Sequence, residues 1–131
     1  MPDTWRLKMA EAKNEHSIEE RLELSLLYDF YGALLKDNQR RMFEASVLED
    51  YNLSEIAEDE GITRQGVHDA IKRASNQLRT YEEKLGLVAR FEYHNKLIKK
   101  LKKGVNDTIQ SGNLDNLKEI TKILDEFILE E

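Results

Sequence analysis

The sequence predicts an all-α protein. Charged residues make up 35% and hydrophobic residues 40% of its 131 residues, with six glycines and a single proline. This composition suits helices around a modest core. Apolar residues recur every three or four positions over long stretches, and alternating runs bounded by turn residues, typical of strands, are missing from the sequence. The length fits one domain with a small appendage.

Residues 53–73, LSEIAEDEGITRQGVHDAIKR, have the pattern of a helix-turn-helix. Ser54 is predicted to cap a short first helix at 54–60. Gly61 is predicted to end that helix in the left-handed conformation, and Thr63 to cap the second helix. Two short helices joined by a glycine also occur as a purely structural unit. The full pattern over some twenty residues favours a true helix-turn-helix.

The second helix of this motif is predicted to be long, from 63 to 85, with Gly86 as its C-cap. Its apolar residues recur in steps of four and three, and form a seam of Val67, Ile71, Ala74, Leu78, Tyr81 and Leu85. Ile62, Val67 and Ile71 are predicted to hold the helix against the core. The rest of the seam needs a partner, either helix 18–35 or a second subunit. The first is favoured, since a seam needs only one partner surface.

Two helices are predicted before the motif, at 18–35 and 38–50. Ser17 and Glu20 have the spacing of a capping box for the first, and Asp37 is predicted to cap the second. The core face of the first is predicted to carry Ile18, Leu22, Leu26, Phe30 and Leu34, widened by Leu27, Tyr31 and Leu35. The second is predicted to turn Met42, Phe43, Ser46 and Val47 inward.

After Gly86, helices at 88–103 and 113–130 are predicted to form a helical hairpin, because the segment from Gly104 to Asn113 carries turn residues. The predicted apolar faces carry Leu87, Phe91, Ile98 and Leu101 in the first helix, and Leu114, Leu117, Ile120, Leu124, Phe127 and Ile128 in the second. Lysines within 96–103 either contact phosphate or, as is more common, form a solvated face. The predicted organisation is an N-terminal extension at 1–17, a helix-turn-helix domain at 18–86 and the hairpin at 87–131.

No catalytic or metal-binding constellation is visible in the sequence. It has no cysteine, and its three histidines, His16, His68 and His94, do not have the spacing of zinc ligands on one helix. It has no glycine-rich phosphate loop. An enzyme, a metal and a cofactor are therefore not expected. The sequence has no signal peptide and no apolar run long enough to span a bilayer, so a cytoplasmic location without membrane insertion is expected.

Charge is unevenly distributed along the chain, whose net charge is −6. Residues 62–85 carry a balance of +2, against −8 for residues 1–61. Four acidic residues crowd the first helix of the motif, namely Glu55, Glu58, Asp59 and Glu60. Because this helix normally lies near phosphates, like charge there weakens the electrostatic part of DNA affinity. DNA binding is thus predicted to be modest and strongly dependent on salt.

The candidate DNA-binding residues lie on the motif. Arg64, Gln65 and His68 are predicted to face base edges from the exposed side of the second helix. Backbone phosphates are predicted to be held by Thr63, Lys72 and Arg73. Ser54, at the start of the first helix, completes the candidate set. Arg64, Gln65, His68, Asp69 and Lys72 are all expected on the outer side of the helix.

A family resemblance adds to this interpretation. LYDFYGALLKDNQRR, YNLSEIAEDEGITRQGVHDAIKRASNQL and YEEKLGL resemble the YlxM-type proteins of Gram-positive bacteria and mycoplasmas over about residues 20–87. Their gene usually lies beside the genes of the signal recognition particle, and their helix-turn-helix is similar to region 4 of bacterial sigma factors. The family commonly has Ala at the position of Gly66 and Tyr at that of His68. The resemblance implies a bacterial cytosolic protein with a regulatory role.

Two functional hypotheses follow. The first is a regulator that inserts its long helix into the major groove of double-stranded DNA, acting as a homodimer whose two recognition helices meet successive grooves about 34 Å apart. The second is a protein or ribonucleoprotein adaptor of the protein-targeting machinery, contacting signal recognition particle components and keeping the fold without binding DNA. The intact motif favours the first hypothesis. The acidic first helix and the lysine face of 96–103 favour the second.

Overall fold

The computed structural model describes residues 17–129, and the fold of that part of the chain is all-α, as predicted. A 3-10 turn, Gly32–Leu34, follows the first helix, and a π-helical turn, Glu44–Leu48, follows the second. The first compact unit ends at Gly86 and the second begins at Leu87. The helices are α1 (Ile18–Tyr31), α2 (Asp37–Phe43), α3 (Leu53–Glu60), α4 (Arg64–Leu85), α5 (Leu87–Ser111) and α6 (Asn116–Leu129). The expected N-terminal extension lies, except for Ser17, outside the described residues.

The core face of α1 differs from the predicted one. The Ser17 hydroxyl caps the helix as expected and accepts the Glu20 amide at 3.1 Å. However, Ile18 and Leu22 are 78% and 67% exposed. Leu34, also predicted inside, is exposed as well, and the buried side chains are Leu24, Leu27, Tyr31 and Leu35. The sequence is apolar on several sides of α1, so its periodicity allowed two registers.

Tyr31 helps to select the register that the structure adopts. Its ring is buried, and its hydroxyl donates to Glu82 Oε1 of α4 at 2.6 Å. A buried hydroxyl with a carboxylate acceptor is strongly favoured over an unsatisfied one. The 3-10 turn after Tyr31 then changes the rotation per residue, which places Leu34 outside.

Asp37 does not cap α2, contrary to the prediction. Lys36 occupies the N-cap position, and Asp37 lies in the first turn, where the helix dipole favours a carboxylate. The predicted α-helix to residue 50 instead widens into the π-helical turn. Its buried side chains are Met42, Phe43 and Val47, as predicted, whereas Ser46 is half-buried.

A polar network joins α1 to α2. The Tyr28 ring stacks on Phe43 with the ring centroids 5.3 Å apart. Its hydroxyl donates to Glu44, and Arg40 Nε donates to the Tyr28 oxygen at 2.9 Å and to Glu44 Oε1 at 3.2 Å. The Tyr28 hydrogen bond lowers the pKa of Glu44 below its ordinary value. Burial, and then the hydrogen bond to Glu44, raise the pKa of Tyr28.

Replacing Tyr28 by phenylalanine should raise the pKa of Glu44 towards its ordinary value, because the strongest hydrogen bond that lowers it is removed. Unfolding at neutral pH should become easier by about 1 kcal/mol. A carboxylate with a lowered folded pKa adds stability above its unfolded pKa and loses it as the pH falls through the folded pKa. The difference from wild type should therefore shrink in acid. NMR titration of the Glu44 carboxyl and urea unfolding at several pH values measure both effects.

The matched control is Tyr51→Phe, since Tyr51 is 45% exposed. It should leave the Glu44 pKa unchanged. An unchanged Glu44 pKa in Tyr28→Phe would contradict the assignment of the shift to this hydrogen bond.

The second unit is a helical hairpin of α5 and α6. Leu97 and Ile123 are buried, and the His94 and Phe127 rings lie 4.9 Å apart. The predicted faces were partly wrong. Val88 is buried, whereas Leu87, Phe91 and Ile98 are 40–52% exposed, and α6 buries Ile123 while Leu114, Leu117, Leu124 and Ile128 are exposed.

The predicted turn at Gly104 was also wrong, because α5 continues through it to Ser111. The chain turns instead at Gly112, whose φ is 70°. A Cβ on Gly104 would lie 3.0 Å from Ile120 Cγ1. Gly104 therefore permits the close approach of two helices rather than a turn. No helix among the described residues is long and apolar enough to cross a membrane.

Candidate nucleic-acid interface

α3, a tight turn and α4 form the predicted helix-turn-helix, with one change at its start. Asn52, not Ser54, caps α3, because Asn52 Oδ1 accepts the Glu55 amide at 2.9 Å. The Glu55 carboxylate in turn accepts the Asn52 amide at 3.4 Å, which completes a capping box. Ser54 lies exposed in the first turn of α3. Gly61 has φ 68° and ends α3 as predicted.

α4 begins and ends where the sequence predicted. Thr63 Oγ1 accepts the Gly66 amide at 3.0 Å and caps the helix, and Gly86, with φ 63°, terminates it. A Cβ on Gly66 would lie 3.2 Å from Thr63 Oγ1, so a larger residue there would crowd the cap. Ile62 is 44% exposed and does not hold the helix against the core, contrary to prediction. It lies in the turn itself, beside Gly66.

The inner face of α4 is covered within the chain. Val67 and Ile71 join a buried cluster with Met42, Ile56 and Ala57. Further along, Ala74 and Leu78 are fully buried, and the Tyr81 ring lies 5.9 Å from that of Tyr31. The seam is therefore intramolecular up to Tyr81, as the sequence favoured. Leu85, its last predicted member, is 57% exposed.

The outer face of α4 presents the candidate residues to solvent. Arg64, Gln65, Lys72 and Arg73 are exposed, and His68 is half-buried at the edge of the face. Thr63, directly before this helix, and Ser54, in the first turn of α3, are also exposed. At about 100° per residue, Arg73 lies some 100° around the helix from Lys72. The basic side chains thus flank the face rather than fill its centre.

Asp69 occupies the centre of this face. Gln65 Nε2 donates to Asp69 Oδ1 at 3.0 Å, and His68 Nδ1 lies 3.4 Å from the same oxygen. The Gln65 hydrogen bond, followed by that of His68, lowers the pKa of Asp69 below its ordinary value. Asp69 was predicted to lie on the outer side of the helix but was not among the candidate DNA-binding residues. Its spacing of four from Gln65 was the available signal.

The acidic residues of α3 are partly engaged in structural bonds. Arg41 donates to both oxygens of Glu60 at 3.1 Å, and this contact lowers the pKa of Glu60. Glu55 belongs to the capping box. Glu58 and Asp59 remain exposed. Because Arg41 pairs with Glu60, the uncompensated negative charge of α3 is smaller than the four carboxylates in the sequence suggest.

A cavity of about 250 Å³ adjoins His68 and Lys72 between α1 and α4. Its polar wall includes Arg79, which binds Glu20 at 3.0 Å and Glu23 at 3.5 Å. Arg79 thus joins α4 to α1. In the sequence it was one of the basic residues that give segment 62–85 its net positive charge. No cluster of three possible metal ligands occurs among residues 17–129.

A glycine-terminated helix, a capped second helix over a buried apolar cluster, and an exposed polar outer face define a helix-turn-helix protein. Residues 18–120 match the model of a family described as "Putative helix-turn-helix protein, YlxM / p13 like". The chain belongs to this family, UPF0122, which confirms the resemblance noted in the sequence.

Similar proteins come from several bacteria. The chain is 47% identical over 112 residues to a UPF0122 protein of Thermoanaerobacter sp. (strain X514), covering 86% of this chain and 93% of that protein. Identity to the UPF0122 protein of Caldanaerobacter subterraneus subsp. tengcongensis is 54% over 85 residues, or 65% of this chain and 70% of that one. The UPF0122 protein of Halalkalibacterium halodurans is 39% identical over 97 residues, with 74% and 89% covered.

Proposed function

We propose that the protein is a DNA-binding regulatory protein that inserts the start of α4 into the major groove of double-stranded DNA. The observation that carries the proposal is the division of α4 into two faces. Val67 and Ile71 anchor it to the helix-turn-helix core, while Arg64 and Gln65 project into solvent from its first turn. A recognition helix contacts base edges with its N-terminal residues.

The proposed contacts divide by chemistry. Arg64 is assigned to guanine, which arginine binds bidentately, and Gln65 to adenine. His68 faces the bases from the edge of the helix. Ser54, Thr63, Lys72 and Arg73 are assigned to the phosphates. Gln65 must first release Asp69, to which it is hydrogen-bonded, so Arg64 is the leading base contact. The Asp69 carboxylate can itself accept a hydrogen bond from cytosine N4.

Replacing Arg73 by alanine tests the phosphate contacts. The variant should bind all duplexes more weakly and by a similar factor, and the slope of log K against log salt should become shallower by about one unit. Titration of several unrelated fluorescent duplexes at four salt concentrations measures this. Lys84→Ala is the charge-matched control, because Lys84 is exposed at the far end of α4 and should leave the slope unchanged. Equal slopes for the wild type and Arg73→Ala would refute the contact.

A second function is favoured by the exposed acids Glu58, Asp59 and Asp69, which repel phosphate from the helix-turn-helix. In it, the protein is an adaptor of the protein-targeting machinery that contacts signal recognition particle components. Adding signal recognition particle RNA to the same titration separates the two. Tight, salt-resistant RNA binding without duplex binding would place the adaptor first.

A homodimer is the proposed assembly for DNA binding. Symmetric regulators of this kind meet two half-sites, one from each recognition helix. Palindromic duplexes should therefore bind more tightly than single half-sites, because linking two sites adds avidity.

A further inference from the structure

The hairpin carries a second apolar stripe on each of its helices. Besides the side chains packed between α5 and α6, each helix leaves three of its described large aliphatic side chains 44–74% exposed. They have the same spacing in both helices, i, i+7 and i+11. The residues are Ile98, Val105 and Ile109 in α5, and Leu117, Leu124 and Ile128 in α6.

The position of each stripe follows from helical geometry. With about 100° between successive residues, the stripe on α5 lies about 90° from the seam formed by Leu97, Leu101 and Gly104. The stripe on α6 lies about 90° from the side of that helix that packs against α5, which includes Ile120 and Ile123. Because the two helices run antiparallel, both rotations lead to the same side of the hairpin. The six residues therefore form one continuous apolar face.

The opposite side of the hairpin carries most of the charged residues that lie close to the packed side chains. A groove of about 320 Å³ there is lined by Lys100, Lys103, Asp107 and Glu119, with Ile120 and Ile123 at its apolar base. Nearby, the Tyr93 hydroxyl donates to Glu126 at 3.0 Å. The charged groups of the hairpin thus remain in water when the apolar face is covered.

We infer that this apolar face is the interface between two copies of the chain, and that the two hairpins form a four-helix bundle. The inference rests on the homodimer proposed above but not on DNA binding. In a four-helix bundle each helix packs against two neighbours about 90° apart, whereas a three-helix bundle requires about 60°. The stripes of α5 and α6 have the separation of the four-helix arrangement. A second hairpin covers the stripes of both helices at once, whereas a single partner helix does not.

The area of the face also fits this occupant. Six aliphatic side chains that are 44–74% exposed make an apolar patch of about 600 Å² per chain. This is the upper end of what monomers expose. Two such faces together remove about 1,200 Å², which reaches the range of specific interfaces. Apolar side chains at seven-residue intervals on both helices are also the pattern of bundle packing.

Sedimentation of the full chain at micromolar concentration tests the proposal, with the double variant Ile98→Glu/Leu124→Glu. The wild type should sediment as a dimer of the 15.3 kDa chain. The variant should raise the dimer dissociation constant by about 100-fold or more, because it buries carboxylates in an apolar interface. Asn106→Glu/Gln110→Glu is the matched control, with the same charge change at exposed positions of α5 off the stripe. It should remain dimeric. Circular dichroism checks that every variant stays helical.

A second measurement does not depend on these variants folding. The chain has no cysteine, so Val105→Cys and Gln110→Cys each introduce a single thiol. A flexible bifunctional maleimide should join two chains more efficiently through residue 105, which lies on the apolar face, than through residue 110, which lies off it. A monomeric wild type, a dimer that survives Ile98→Glu/Leu124→Glu, or equal cross-linking at both positions would overturn the proposal. The DNA titration is separate, so a monomer that binds duplex would refute the interface and the homodimer and leave the proposed DNA binding standing.

Discussion

Replacing Leu78 by alanine should lower the free energy of unfolding by about 2–5 kcal/mol. Leu78 is 0% exposed and lies in the middle of α4, on the face that packs inside the first unit. Truncation removes apolar contacts and leaves a cavity that rigid neighbouring helices fill only partly. Since small domains are stable by only about 5–15 kcal/mol, the loss is a large share of the total. Urea unfolding followed by circular dichroism measures it.

Leu85→Ala is the matched control for Leu78→Ala. It is the same substitution in the same helix, two turns later, at a side chain that is 57% exposed. Its effect should stay below about 1 kcal/mol, since little apolar area leaves water there in the folded chain. Similar losses in both variants would show that the seam continues to the end of α4 and is covered by something other than α1.

The two ends of α4 were predicted correctly because local signals mark them. Thr63 could cap because its hydroxyl reaches the amide three residues later, and Gly61 and Gly86 could adopt positive φ without a Cβ penalty. These effects act within one turn of chain. A sequence therefore shows them without any knowledge of tertiary contacts.

Features that depend on tertiary contacts could not be predicted from local signals. α1 is apolar on more than one side, and the buried hydrogen bond from Tyr31 to Glu82, 51 residues away, is what distinguishes the faces. Glycine is common in turns, which is why a turn was predicted at Gly104. In the structure Gly104 instead allows Ile120 of the neighbouring helix to pack closely. Turn chemistry and close helix packing both favour glycine, so the residue alone does not separate them.

In the candidate site, too, some features follow from local sequence and others depend on tertiary side-chain contacts. Exposure of Arg64, Gln65 and Lys72 followed from the helical period once Val67 and Ile71 were assigned to the core. The engagement of Gln65 by Asp69, and of Glu60 by Arg41, depends on side-chain geometry. The first pair restrains the Gln65 amide and leaves the Asp69 charge in place, whereas the second pairs the charge of Glu60 with that of Arg41.

Arg64 should be the residue on which sequence preference depends. It is exposed in the first turn of α4. Removing a bidentate contact to guanine costs about 1–3 kcal/mol against the preferred base and little elsewhere. Arg64→Ala should therefore weaken binding to a duplex selected from a random pool by about 5- to 150-fold, a factor that corresponds to this energy. Its affinity for unrelated duplexes should change far less.

Arg73→Ala is the comparison for this experiment, because a phosphate contact is lost equally on every duplex. Both variants are titrated against the selected duplex, the same duplex with its guanines replaced, and an unrelated one, all at one salt concentration. The ratio of selected to unrelated affinity should fall for Arg64→Ala and stay constant for Arg73→Ala. If Arg64→Ala lowers all three affinities by the same factor, Arg64 contacts phosphate. Base recognition would then fall to Gln65 and Asp69, whose hydrogen bond to each other has to open before either can meet a base edge.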